Sequence, residues 1–450
     1  MYVVYLTRKF ANEKLSRLDY LLDGRNLTMP VFVLTMFSTW YGGILGVGEF
    51  GYMYGISSWL LQGVPYYFFA IVFAFVFAAR ARRMEVSSTP EQIAKVYGLQ
   101  VGRLSALFTM ILASPAPYIL MIAVLLQLMM GLSLFTSLLI SVIFSIGYLV
   151  RGGFRADRYT DVVFGVMMFL GFLMFVGFLF FEYGSVLGMR GSMPPNHFIW
   201  HGGNPPQFII MWFLIALWTW VEPSFYQRCY AAKSDEVAKK GILWSVFFWF
   251  LFDILTMATA LYARAILPAL RDPMLSYPAL ADFVLPPVAK GFFFVSLLAT
   301  ILSTLNSQFF VSSIAIGRDF LFSFFPKRYS ETRWIQIGLF LMAGFSIVLA
   351  LLIPSVVKLW YTIGTIMIPG LLLPMVTSFF TKSQVRSEWM FASQLFGFTT
   401  SLICLLWGWS DVVGSYDQFP FGVEPIFPGL VVAIAFWGAG MIHKIKHQSH

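Results

Sequence analysis

The chain has 450 residues, 59% of them hydrophobic and only 11% charged, with a formal net charge of +9. Soluble domains are roughly 25% charged and 45–50% apolar. The composition therefore excludes a soluble enzyme with one anchor and points to an all-α polytopic membrane protein. The basic surplus is no nucleic-acid signal, because it is confined to alternate connections between apolar runs.

Twelve membrane-spanning helices are predicted: 29–54, 57–80, 104–131, 134–150, 160–185, 207–227, 242–267, 288–316, 334–353, 357–380, 389–408 and 426–442. Of the 30 Lys and Arg residues, 25 fall on the side of the N-terminus. The other side carries five: Arg190, Arg264, Arg271, Lys290 and Lys358. The positive-inside rule places both termini in the cytoplasm, so the protein is expected in the cytoplasmic (plasma) membrane.

The first span, FSTWYGGILGVGEFGYMYG from Phe37, holds Gly42, Gly43, Gly46, Gly48 and Gly51 within ten residues. Glycine lets the backbone leave helical geometry, and a discontinuous helix frees carbonyls for a cation. The alternative is a small-residue packing face. Residues 87–98 predict a short cytoplasmic helix, capped by Ser88 or Thr89 with Pro90 in its first turn. Pro115 and Pro117 are expected to kink the third span. The loops 188–206 and 268–287 are the main external segments, and 409–425 carries Asp411, Asp417 and Glu424 with no basic residue. His197 and His201 lie four apart without a third metal ligand and read as a solvated loop. His443, His447 and His450 read the same way. Cys229 and Cys404 lie in different spans and suggest no disulfide framework.

The eighth span carries Thr300, Ser303, Thr304, Asn306, Ser307 and Gln308. Thr300, Ser303, Thr304 and Ser307 share one helix face. Neutral oxygens clustered at bilayer depth suit a dehydrated sodium ion; the alternative is hydroxyls bonded back to their own helix carbonyls.

Around Ser303 the chain resembles the signature of the sodium:solute symporter family. Five other places agree in order: DYLLDGRNL at 19–27, the glycine-rich first span, STPEQIAKVYG at 88–98, RGGFRADRYTDVV at 151–163 and EPSFYQRCYAAKS at 222–234. The resemblance covers roughly 19–380. It implies a LeuT-type core of about 29–380 built from two inverted five-helix repeats, about 29–185 and 207–380. Residues 1–28 would form a cytoplasmic segment and 381–450 two accessory helices and a tail. It further implies a sodium site using the hydroxyls of Ser303 and Thr304 and the backbone carbonyls of Met36, Thr39 and Thr300. Asp161 matches the family's aspartate on the ion's route to the cytoplasm. Its other readings are a helix N-terminal acid or a partner of Arg155 or Arg158.

Three departures stand out. Ser38 replaces the carboxylate that proline-transporting members carry in the first core helix. Glu222 stands where the family often has Gln, and is expected to pair with Arg228 rather than with a cationic solute. The helix that usually precedes DYLLDGR is missing, as if the start were placed too late.

Other acids at membrane depth are Glu49, expected in the outer vestibule or on the surface, and Asp253, a lone acid in the seventh span. Candidates for solute contact are Trp40, Tyr41, Gln62, Tyr66, Trp218, Thr219, Trp220, Tyr361, Thr362 and Thr365. Aromatic linings suit small organic solutes. The expected function is non-enzymatic: sodium-coupled symport of a small organic solute, with the sodium ion as coupling ion, no organic cofactor, and the bilayer as environment. The alternatives are a proton-coupled or uncoupled transporter of the same fold, with Asp253 and Glu222 titrating, or a non-transporting solute sensor.

Overall fold

The computed structural model describes residues 16–409 and 418–448, with the side chains of residues 148, 151, 152 and 448 left out. Residues 1–15 of the expected cytoplasmic segment, Asp411, Asp417 and His450 lie outside the described residues. Among the described residues, eleven helices are long and apolar enough to cross a membrane. The expected fourth span is a shorter apolar helix, Leu134–Gly147.

Gly42 and Gly43 explain the shape of the first span. It runs as α1 (Met29–Trp40), a 3-10 turn at Tyr41–Gly43, and α2 (Ile44–Tyr54). A Cβ at Gly42 would overlap the Thr304 side chain, and one at Gly43 or Gly46 would overlap the Trp360 indole. The glycines thus serve close approach, and both expected roles, break and packing face, coexist.

Two π-helical turns flank α3 (Val64–Phe73). Helix α4 (Thr89–Tyr97) is capped by Ser88, whose hydroxyl accepts from the Glu91 amide, while the Glu91 carboxylate accepts from the Ser87 amide. The third span breaks before Pro115, giving α5 (Leu99–Leu112) and α6 (Ala116–Met130). Helix α7 (Leu134–Tyr183) folds back on itself at Gly153, where φ is 53° and a Cβ would meet the Tyr20 carbonyl at 2.6 Å.

A second span is also interrupted, and more sharply. Helix α8 (Pro206–Ile215) passes into a 3-10 stretch, Ala216–Trp220. The backbone is extended at Glu222, and Pro223 opens α9 (Pro223–Ala231). Pro at the first helical turn restarts a helix without losing a hydrogen bond. Helices α10 (Asp235–Ile266), α11 (Pro287–Ser313), α12 (Glu331–Leu352), α13 (Val356–Thr377), α14 (Ser387–Trp407) and α15 (Ile426–Gln448) follow.

Burial orders these helices. The most apolar stretch of Met29–Tyr54 is 78% buried, against 22% for Ile426–His447. The first span is therefore central and the last peripheral. Both broken spans pack near α11, whose residues from Ser303 to Ser313 are all buried.

His197 corrects the expectation of a solvated loop. It is buried, and its Nε2 lies 2.9 Å from the Tyr52 carbonyl. Gly55, at φ 58°, gives it room, since a Cβ there would strike the His197 backbone. His201 is half-buried, and no group of three metal-ligating side chains occurs among the described residues.

Candidate cation site and solute cavity

Three elements meet around one buried cluster: the C-terminal end of α1, the second limb of α7, and the polar face of α11. Ser303 donates to Asp161 at 2.5 Å. Thr304 donates to the Thr39 carbonyl, next to the 3-10 turn of the first span. The Thr39 hydroxyl lies 3.3 Å from both Asp161 and the Ser307 hydroxyl. Met36 is buried one turn earlier on α1. Thr300 bonds its hydroxyl to the Ser296 carbonyl at 2.7 Å, so its backbone carbonyl is what it can offer a cation.

Arg228 is the unforeseen member. Its guanidinium reaches Asp161 at 2.9 Å, Ser307 at 3.0 Å, the Thr39 hydroxyl, and Asp157 at 3.9 Å. Arg228, Asp157 and Asp161 are all fully buried. Ser307 donates to Asp157 at 2.6 Å. Two carboxyls thus share one guanidinium and a ring of hydroxyls. The donor set is entirely hard oxygen, which suits an alkali cation.

The ion pairs expected from sequence are redistributed. Arg155 and Arg158 pair with Asp23, at 3.6 and 2.7 Å, and not with Asp161. The expected Glu222–Arg228 pair does not form. Six residues separate the two by about 9 Å of helix rise, and Arg228 turns to α7 and α11 instead.

A cavity of about 100 Å³ opens beside this cluster. Thr39 lines both. Trp40, Gln62, Tyr66 and Trp218 line the cavity, together with Glu222, Ser224 and Gln308. Tyr118, Trp212 and Trp360 complete the wall. Sequence reasoning missed these three, although the Gly43 and Gly46 pair that admits Trp360 was visible as a motif.

The other candidates lie elsewhere. Tyr41 lines a second, smaller cavity, where it and Tyr67 both donate to Asp253. Trp220 donates to the Phe69 carbonyl at 3.0 Å and packs on Phe69 and Phe77. Tyr361 donates to Glu424 at 2.5 Å. Thr219, Thr362 and Thr365 are buried but line neither cavity. Glu49 is half-buried and also lines neither.

The model of the family described as "Sodium:solute symporter family" matches residues 20–387. The chain belongs to the sodium:solute symporter family. Curated relatives of this symporter-family protein include the osmoregulated proline transporter OpuE of Bacillus subtilis, 25% identical over 64% of this chain and 60% of the relative. The high-affinity proline transporter PutP of the same organism is 27% identical over 50% of this chain and 49% of its own length. The sodium/pantothenate symporter of Escherichia coli is 27% identical over 76% of this chain and 74% of the relative. The symporter-family chain thus spans about half to three fifths of the length of the two proline transporters.

Its fold is similar to that of a solved Na+-coupled sialic acid symporter, with TM-score 0.78, 15% identity and coverage of 98% of this chain and 94% of the other. A nucleobase-cation-symport-1 family transporter in a closed conformation gives TM-score 0.62 at 13% identity, covering 96% of each.

Proposed function

We propose that this protein is a secondary active transporter that couples inward movement of sodium to a small organic solute. The observation that carries this reading is the sharing of α1: its C-terminal end supplies Thr39 to the cation cluster, while Thr39 and Trp40 also line the solute cavity. One displacement of that segment changes both sites, which is what coupling requires.

In this reading Ser303 and Thr304 hold sodium with the carbonyls of Met36, Thr39 and Thr300. Asp161, with Asp157 behind it, supplies negative charge. With both carboxyls ionised, one guanidinium leaves a single negative charge to be balanced, and a monovalent cation balances it. Release through Asp161 to the cytoplasm then follows as the two repeats, about 29–185 and 207–380, rock around the sites. The basic side of the membrane, with both termini, faces the cytoplasm in the plasma membrane, and residues 381–450 are accessory to transport.

The test is radioactive sodium binding to purified protein, wild type against the Ser303→Ala/Thr304→Ala double variant. Saturable binding that the double variant loses supports the assignment. Wild-type protein that binds no sodium, and flux that follows a proton gradient, would transfer coupling to Asp253.

A further inference from the structure

The solute cavity contains a buried acid with no cation beside it. Glu222 is 3% exposed and takes part in none of the ion pairs among the described residues. Trp218 Nε1 donates to its Oε2 at 2.7 Å. The Ser224 amide and Gln308 Nε2 donate to its Oε1 at 3.1 and 3.2 Å. Three N–H donors converge on two oxygens, the arrangement of a carboxylate acting only as acceptor. A carboxylate taken out of water is costly unless a counter-charge accompanies it.

The surroundings specify that counter-charge. Trp40, Tyr66, Tyr118, Trp212, Trp218 and Trp360 wall the cavity, and no Lys, Arg or His lines it. Aromatic faces attract cations. The N-terminus of α9 is the kind of helix end that takes an anionic solute group in transporters with broken helices. Here Glu222 already occupies it as the cap. Gln308 Oε1 and Gln62 Nε2 also lack partners among the described residues while lining the space. They offer one acceptor and one donor to a polar substituent.

We propose that the solute is a small organic cation whose ammonium group pairs with Glu222 inside this aromatic wall. The assignment rests on the transporter reading above and narrows its substrate class. Anionic solutes meet Glu222 with repulsion, and neutral solutes leave it uncompensated.

The experiment is equilibrium binding of radiolabelled tetramethylammonium to the purified full chain in sodium buffer. Unlabelled ethanolammonium, tert-butanol, proline and pantothenate serve as competitors. Saturable binding displaced by ethanolammonium, and not by the neutral, zwitterionic or anionic compounds, is expected. Glu222→Gln keeps the capping oxygen and should weaken binding at least about tenfold, the scale of one charge-assisted contact. Glu222→Asp keeps the charge and should recover part of that loss.

Absence of saturable tetramethylammonium binding, displacement by the neutral or anionic competitors as effective as by ethanolammonium, or equal affinity in wild type and Glu222→Gln, overturns the assignment. Sodium binding measured alongside separates the two readings. If sodium binds and depends on Ser303 and Thr304, only the substrate class has failed. If sodium binding is absent too, the sodium-coupled reading fails with it.

Discussion

Arg228 on α9 and Asp161 on α7 are both fully buried and meet at 2.9 Å, between the hydroxyls of Thr39 and Ser307. A fixed cation therefore stands at the edge of the site where a mobile cation is expected to bind. Removing one partner of a buried pair typically costs about 3–5 kcal/mol, because the other charge is left uncompensated. Arg228→Ala should lower the melting temperature in potassium buffer, and saturating sodium should restore part of the loss. Thermal unfolding in detergent, with sodium and with potassium, reads both effects. An unchanged melting temperature in potassium would show that the pair is dispensable.

Adjacent glycines in the first span should have separable effects. A methyl at Gly42 meets Thr304, and one at Gly43 meets Trp360. Overpacking of this kind costs about 1–3 kcal/mol. Gly42→Ala should weaken sodium binding by about tenfold or more, the equivalent of roughly 1.4 kcal/mol. Gly43→Ala should instead disturb the solute cavity and leave sodium affinity within about a factor of three. Paired sodium and solute titrations of the two variants check this, and identical profiles would contradict it.

Asp253 distinguishes sodium from proton coupling. Asp253→Asn removes the titratable group, keeps one carbonyl acceptor for a tyrosine hydroxyl, and turns the other position into an N–H donor that the second hydroxyl oxygen accepts. Sodium-driven uptake in proteoliposomes should persist at about half the wild-type rate or better, a change below about 1 kcal/mol in barrier. Loss of uptake in the variant, where wild-type uptake follows the proton gradient, would favour proton coupling.

Glu424 precedes the last span and is buried against Tyr361. Burial pushes its carboxyl up to about 7, and the Tyr361 hydroxyl opposes that rise. The folded protein therefore holds this proton to higher pH than the unfolded chain does. The resulting stability is fully present below the ordinary carboxyl value of 4.5 and is lost as pH rises through about 7. Its size is at most about 3 kcal/mol. Melting temperatures across pH 4.5 to 8 should decline less in Glu424→Gln than in wild type.

Much of the architecture was legible because membrane helices carry their own evidence. Apolar length marks each span, proline and glycine mark the breaks, and every backbone group must be satisfied within its helix. The polar face from Thr300 to Ser307 followed from helical periodicity alone, while cap preference narrowed the start of α4 to Ser88 or Thr89 and the structure chose Ser88. The distinction between Thr300 and Ser303 did not. One hydroxyl bonds back to its own helix and the other crosses to Asp161, a difference set by what lies opposite each.

Charge partners were decided by tertiary structure for the same reason. Glu222 and Arg228 share one segment, yet helix geometry separates them, and Arg228 is claimed by two aspartates from α7. Trp360, Tyr118 and Trp212 carry no sequence mark that separates them from the other aromatics in a chain that is 18% aromatic. Local sequence determined where helices begin, bend and end, because those preferences act within a few residues. Which side chains face one another depended on contacts between distant segments, and only the folded packing brought Glu222, Gln308 and Trp360 to the same cavity.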